Sequence, residues 1–315
     1  MRKRTLTAAL GLVALAMVAF AASPATAGSG SSVAVCEDAT FSSLTALTTS
    51  STARWATPTT RAEKETVKYS GGTEIQKTPG KPTAGTINVY FHIVQASDGT
   101  GAVEPETVDA QIAVLNMTFS GFWGGDDTGF RFRLVATDTT VNDAWFEGDD
   151  PESGSIEREL AMKTALKRGG STDLNIYSTS GAGYLGFAYY PSITTSNRYR
   201  VLDGVLIHYG SLPGGFIGNY NLGYTATHEV GHYLGLAHTF EQGCKGHGDY
   251  VDDTPAMEVP TSGCPVGKDT CPRDAGLDPV ENYMDYSYDR CYTAFTQGQT
   301  ERMQKQYAHW RLKRA

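Results

Sequence analysis

Residues 228–238 constrain this chain more than any other stretch. They read His228-Glu229-Val230-Gly231-His232-Tyr233-Leu234-Gly235-Leu236-Ala237-His238, the pattern H-E-x-x-H-x-x-G-x-x-H. Histidines four apart share one face of a helix, one turn or about 5.4 Å apart. Two neutral imidazoles so placed can hold one tetrahedral metal. Glu229 lies on the same turn. It is too close to be a good third ligand, but it can reach a metal-bound water as general base. Gly235 is expected to end the helix, because a residue without Cβ turns the chain through left-handed space. That turn swings His238 back as third ligand. Three protein ligands with an open fourth position suit a catalytic zinc. A purely structural zinc has no use for Glu229, so the pattern implies zinc-dependent hydrolysis of peptide bonds.

A second constellation lies downstream. Met284, in Glu281-Asn282-Tyr283-Met284-Asp285-Tyr286, follows His238 by 46 residues. The extended histidine motif followed by a methionine turn is the metzincin signature. Around it stand Asp252-Asp253-Thr254-Pro255-Ala256, Ser287-Tyr288-Asp289-Arg290-Cys291, Phe295-Thr296-Gln297-Gly298-Gln299, Arg302-Met303 and Leu185-Gly186-Phe187-Ala188-Tyr189-Tyr190-Pro191. With these, the chain from about Thr86 onward resembles the pappalysin family of metzincins, and within it the bacterial ulilysin-like group.

Charge excludes one class of partner. Residues 1–85 carry 9 Lys+Arg and 5 Asp+Glu, which leaves 17 basic and 29 acidic residues, a net of −12, for the remainder. A domain that acidic does not attract nucleic acid. Protein or peptide substrates are expected, and a monomer.

The N-terminus reads as a secretory leader. Arg2-Lys3-Arg4 precedes an apolar run from Leu6 to Ala22, and Ala25-Thr26-Ala27 fits a cleavage site after Ala27. The run is slightly short for a membrane span, and an uncleaved anchor is the alternative. Val35 stands where lipidation of Cys36 would need a small residue. No other run is apolar enough to cross a bilayer. With residues 1–27 removed, a secreted, extracellular protein without a membrane anchor is expected.

Residues 28–85 are rich in Ser, Thr, Ala and Gly, and Thr78-Pro79-Gly80-Lys81-Pro82 reads as a linker. This segment cannot bury much core. It is expected to be a propeptide that keeps the enzyme latent, the alternative being a plain spacer. The catalytic domain then covers 86–315, as an upper subdomain 86–238 and a lower one 239–315. Strands are expected over Ile87–Val94, Phe130–Ala136, Asp173–Ser178, Gly186–Tyr190 and Gly204–Tyr209. Helices are expected over Pro105–Phe119, from Ser155, over Asn221–Leu234 and over Gln297–Lys313. His92 and His208 fall within strands and read as structural. The fold class is α/β, tending to α+β. It combines a twisted, mostly parallel five-stranded sheet, a backing helix and the motif helix with an irregular, cysteine-bearing lower part.

Five cysteines in a secreted chain leave one odd. Spacing alone allows three pairings of Cys244, Cys264, Cys271 and Cys291. The resemblance implies Cys244–Cys271 and Cys264–Cys291. It also implies that Tyr286, two after the turn methionine, hydrogen-bonds the tetrahedral oxyanion, and that 248–254 holds structural calcium through Asp249, Val251, Asp253 and Thr254. Cys36 is a candidate latency ligand for the zinc, or a thiol simply discarded with the propeptide. In ulilysin-like enzymes that cleave before Arg or Lys, an acidic residue precedes the last cysteine at the base of the S1′ pocket. Here it is Arg290, so cleavage before neutral or acidic residues is expected. Two other classes stay open: a zinc-bearing binding module without turnover, and a hydrolase of non-peptide substrates.

Overall fold

The computed structural model describes residues 82–149 and 155–314. The expected leader, nearly all of the expected propeptide and Cys36 lie outside the described residues. Five strands form one sheet: β1 (Thr86–Gln95), β2 (Arg131–Val141), β3 (Leu174–Thr179), β4 (Gly186–Ala188) and β5 (Val205–His208). Their order is β2-β1-β3-β5-β4. All neighbours are parallel except β4 and β5, which are antiparallel. The mostly parallel sheet expected from the sequence is therefore present, with β4 at its edge.

Burial on both faces explains why the central strands are so continuously apolar. Ile87, Val89, Phe91 and Ile93 of β1 face one side, where α1 (Pro105–Phe119) lays Val108, Ile112, Leu115 and Phe119 against them. The helix α4 (Tyr224–Tyr233) packs on the same side through Ala226, Val230 and Tyr233. On the other side, Val94, Tyr177 and Leu206 meet Phe146 of α2 (Asp143–Glu147) and Met162 and Leu166 of α3 (Glu157–Leu166). His92 points to that second side and is fully buried. It pairs with Asp138 at 2.9 Å and Asn175 at 3.0 Å and stacks on Tyr177, a structural histidine.

Beyond residue 238 the chain is irregular and cross-linked by two disulfides, Cys244–Cys271 and Cys264–Cys291. It ends in α5 (Gln297–Gln306), started by a reciprocal capping box between Thr296 and Gln299.

Several boundaries differ from the expected ones. The motif helix begins at Tyr224 rather than at Asn221, because Gly223 sits at φ +85°, outside helical space. Strand β4 stops at Ala188, since Pro191 opens a 3₁₀ turn with Tyr190 at its N-cap. Helix α3 starts at Glu157, whose N–H donates to the Ser155 Oγ at 3.3 Å while that hydroxyl donates to Asp149. The last helix is not uniform to Lys313: it passes into a π turn at Tyr307–Arg311 and then a 3₁₀ turn. There Arg311 is fully buried, with both terminal guanidinium nitrogens on Asp203 at 2.9 and 3.0 Å. No helix among the described residues is long and apolar enough to cross a membrane.

Candidate metal centre and active-site cleft

Every residue of α4 is buried. The helix carries His228 and His232 on one face, and Glu229 on the turn between them. It ends where expected: Gly235 has φ +100°, and Leu236 N–H returns to the Gly231 carbonyl at 2.9 Å. A Cβ on Gly235 would lie 2.6 Å from Gln306 Cγ, so the turn is also pinned against α5. His238 comes back to the helix, its ring stacked on Phe240.

The three imidazoles converge. His232 Nε2 lies 3.1 Å from His228 Nε2 and 3.0 Å from His238 Nε2. The outer nitrogens of two rings are committed elsewhere: His228 Nδ1 reaches the Tyr283 carbonyl at 2.7 Å, and His232 Nδ1 the Leu236 carbonyl at 2.8 Å. A carbonyl only accepts, so each Nδ1 carries the ring's proton and each Nε2 presents a lone pair. Burial holds all three rings below the usual histidine range, His232 to about 4, and each charged neighbour would add repulsion at His228 and His238. Neutral nitrogens facing one another without protons between them repel unless a cation sits among them. The set therefore fits a metal held by three neutral imidazoles, with carbonyls fixing the rings from behind.

Glu229 is buried and lies against β4. A Cβ on Gly186 would come within 2.8 Å of Glu229 Cγ and 3.0 Å of its Oε1. Met284 lies beneath the helix, fully buried, and a Cβ on Gly231 would collide with its sulfur. The turn itself is fastened by Asn282, whose Oδ1 accepts from Met284 N at 2.9 Å and whose amide exchanges two bonds with Gln299. Thr239 N–H donates to the Met284 carbonyl at 3.2 Å. Tyr286 brings its hydroxyl within 3.1 Å of His238 Nε2. The close approaches at Gly186 and Gly231, and the Asn282–Gln299 pair, carry no local sequence signal; only the tertiary contact reveals them.

Other expected site residues fall as follows. Asp249 is buried; its Oδ1 accepts from Val251 N at 3.0 Å, and its Oδ2 has no hydrogen-bond partner. Burial pushes its carboxyl up to about 7. Thr254 Oγ1 is likewise buried, and its hydroxyl lies near enough to the Asp249 carboxylate to favour the charged form without completing a hydrogen bond. Asp253 is engaged elsewhere: it accepts from Thr296 Oγ1 at 2.7 Å and from Gly298 N at 2.8 Å, at the start of α5. Arg290 is exposed, donating to Asn219 Oδ1 at 3.3 Å with its guanidinium over the Tyr288 ring. Its neighbour Asp289 is the buried one, its carboxylate accepting from Leu222 N at 2.8 Å. His208, at the end of β5, accepts from Gly210 N at 2.8 Å and is held at about 4 by burial.

A family model described as pregnancy-associated plasma protein-A, peptidase M43, matches residues 175–308. An extracellular metalloprotease of Sordaria macrospora is 46% identical over 255 residues, covering 79% of this chain and 82% of its own. One from Neurospora crassa is 46% identical over 229 residues, covering 71% and 75%. Among solved structures, Tannerella forsythia promirolysin superposes with a TM-score of 0.63 at 25% identity, covering 79% of this chain and 92% of its own. Mature mirolysin with a cleaved peptide gives 0.58 at 26%, covering 74% and 98%. Sequence kinship over most of the chain and a shared fold agree with the histidine cluster: the chain belongs to the pappalysin family of metzincin metalloendopeptidases.

Proposed function

We propose that this chain is a secreted zinc endopeptidase, made as a latent zymogen, in which His228, His232 and His238 hold the metal and Glu229 is the general base. The observation that carries this reading is the convergence of three buried imidazole Nε2 atoms, two of them proton-free, beside a buried glutamate. Bound zinc supplies Lewis acidity, towards water and towards a carbonyl oxygen. The chain's own groups do the rest. The Tyr283 and Leu236 carbonyls fix the tautomers of His228 and His232 and aim their Nε2 atoms, while burial keeps the rings neutral. Glu229 accepts a proton from the attacking water and returns it to the leaving amine. The Tyr286 hydroxyl, beside His238, donates to the oxyanion of the tetrahedral state. The outer edge of β4 is free of strand partners among the described residues, and an extended peptide adds to it as a further strand.

Three features extend the reading. Relatives named as extracellular metalloproteases support export after loss of residues 1–27, and the promirolysin match supports latency through residues 28–85. Asp249, Thr254 and the Val251 carbonyl would hold a calcium ion at the 249–254 turn. The unpartnered Asp249 oxygen supports this, and hard oxygen donors suit the ion. Asp253, spent on α5, is not among its ligands.

Casein hydrolysis with and without o-phenanthroline tests the proposal. The account expects complete loss with the chelator and recovery on adding zinc. Hydrolysis indifferent to the chelator would refute it, and a chain that binds zinc without any turnover would make it a binding module.

A further inference from the structure

Asp289 is a buried carboxylate that the chemistry above does not use. It is 2% exposed, and only burial and backbone N–H groups act on it. Its Oδ2 accepts from Leu222 N at 2.8 Å, the Tyr224 N–H lies near enough to favour the charged carboxylate, and its own N–H donates to the Asn219 carbonyl at 3.0 Å. Tyr224 is the first residue of α4. The N-cap position belongs to Gly223, which has no side chain to cap with. First-turn N–H groups have no partners within a helix. Asp289 thus fastens the backbone that leads into the helix, from 67 residues beyond Leu222.

The groups around it offer no counter-charge. Tyr220, Tyr224 and Tyr292 face it, Asp285 acts on the same Tyr220 and Tyr292, Tyr288 packs on Tyr220, and Arg290 turns away to Asn219 and Tyr288. Burial holds the Tyr220, Tyr224 and Tyr292 hydroxyls above their usual range and the Asp285 carboxyl above its own. An ionised carboxylate kept inside without a cation is costly, and such groups concentrate at functional sites.

We infer that Asp289 is a positioning residue: its charged carboxylate clamps the first turn of α4, and through that turn sets Glu229 against Gly186. The inference rests on Glu229 acting as base. Burial raises the Asp289 carboxyl from its usual 3.8 to about 7. A group so raised favours folding when protonated. Its stabilising contribution is full below about pH 4 and is lost as pH rises through about 7. Over the same rise the clamp tightens, because a charged acceptor holds N–H donors more strongly than a neutral one. The fold therefore gives up stability where the helix gains a firmer start.

Asp289→Asn separates the two roles, since it keeps an acceptor oxygen and loses the charge. Two measurements on the enzyme produced from the full chain test the idea: amide chemical shifts of Leu222 and Tyr224 against pH, and kcat and KM against pH. In the wild type both amides should titrate together with a midpoint near 7, and in Asp289→Asn they should not. The variant should match or exceed the wild-type Tm at pH 8. Its kcat there should be lower by roughly fivefold, with KM within about twofold and the rise near pH 7 gone. Amides that do not titrate, or a variant profile that overlays the wild type, would overturn the inference. If Asp289→Asn fails to fold, the wild-type amide titration alone decides. If the wild type cleaves no peptide, the endopeptidase reading fails, while the amides still report on the clamp.

Discussion

At the scale of single residues, the centre depends as much on atoms left out as on ligands supplied. Gly231 admits the Met284 sulfur beneath the helix, and Gly186 admits Glu229 beside the edge strand. Any larger residue at 186 must push either the glutamate or the Leu206 carbonyl, which lies 2.9 Å from the missing Cβ. Overpacking of this kind costs about 1–3 kcal/mol. Gly186→Ala should therefore keep its zinc but lose roughly tenfold in kcat/KM, the equivalent of about 1.4 kcal/mol. Metal content and peptide hydrolysis measured on the same sample check this. Unchanged turnover would mean that Glu229 is not seated by β4.

At the scale of elements, the 249–254 turn lies within the loop closed by the Cys244–Cys271 disulfide, and its weak point is Asp249. With its folded pKa raised from 3.8 to about 7, Asp249 without a cation favours folding only while protonated. That contribution is lost as pH rises through about 7. Calcium reverses the cost by keeping the carboxylate ionised and paired. At a hundredfold excess over Kd, ligand binding to the folded state adds about 2.7 kcal/mol. Thermal unfolding near pH 8 should thus shift upward with calcium, while zinc content stays constant. Identical curves in calcium and in a calcium-selective chelator would remove the site. The sequence was informative where a signal is local. Strand β1 and helix α1 could be read from their periodicity, and the Gly235 turn from its place in the motif. The five-residue α2 was not legible, because so short a helix depends on its Asn142 cap and on Phe146 packing against Met162. Arg290 was singled out, whereas the inward residue is Asp289, whose partners lie 67 residues away in sequence.

At the scale of the whole molecule, the domain's net charge of −12 is borne by a fold with one edge strand open beside its metal site. That arrangement suits extended polypeptide rather than nucleic acid. In the proposed reading, residues 28–85 keep the enzyme latent. The active secreted species should begin near residues 78–88, as N-terminal sequencing will report. An active species beginning at Gly28 would show that the segment imposes no latency. The most direct test of the central claim is peptide hydrolysis by zinc-loaded Glu229→Gln. That variant leaves His228, His232 and His238 intact and removes only the base. The account predicts one zinc per chain and a loss of about 10²–10⁴ in kcat. Near-wild-type hydrolysis by the zinc-loaded variant would contradict it.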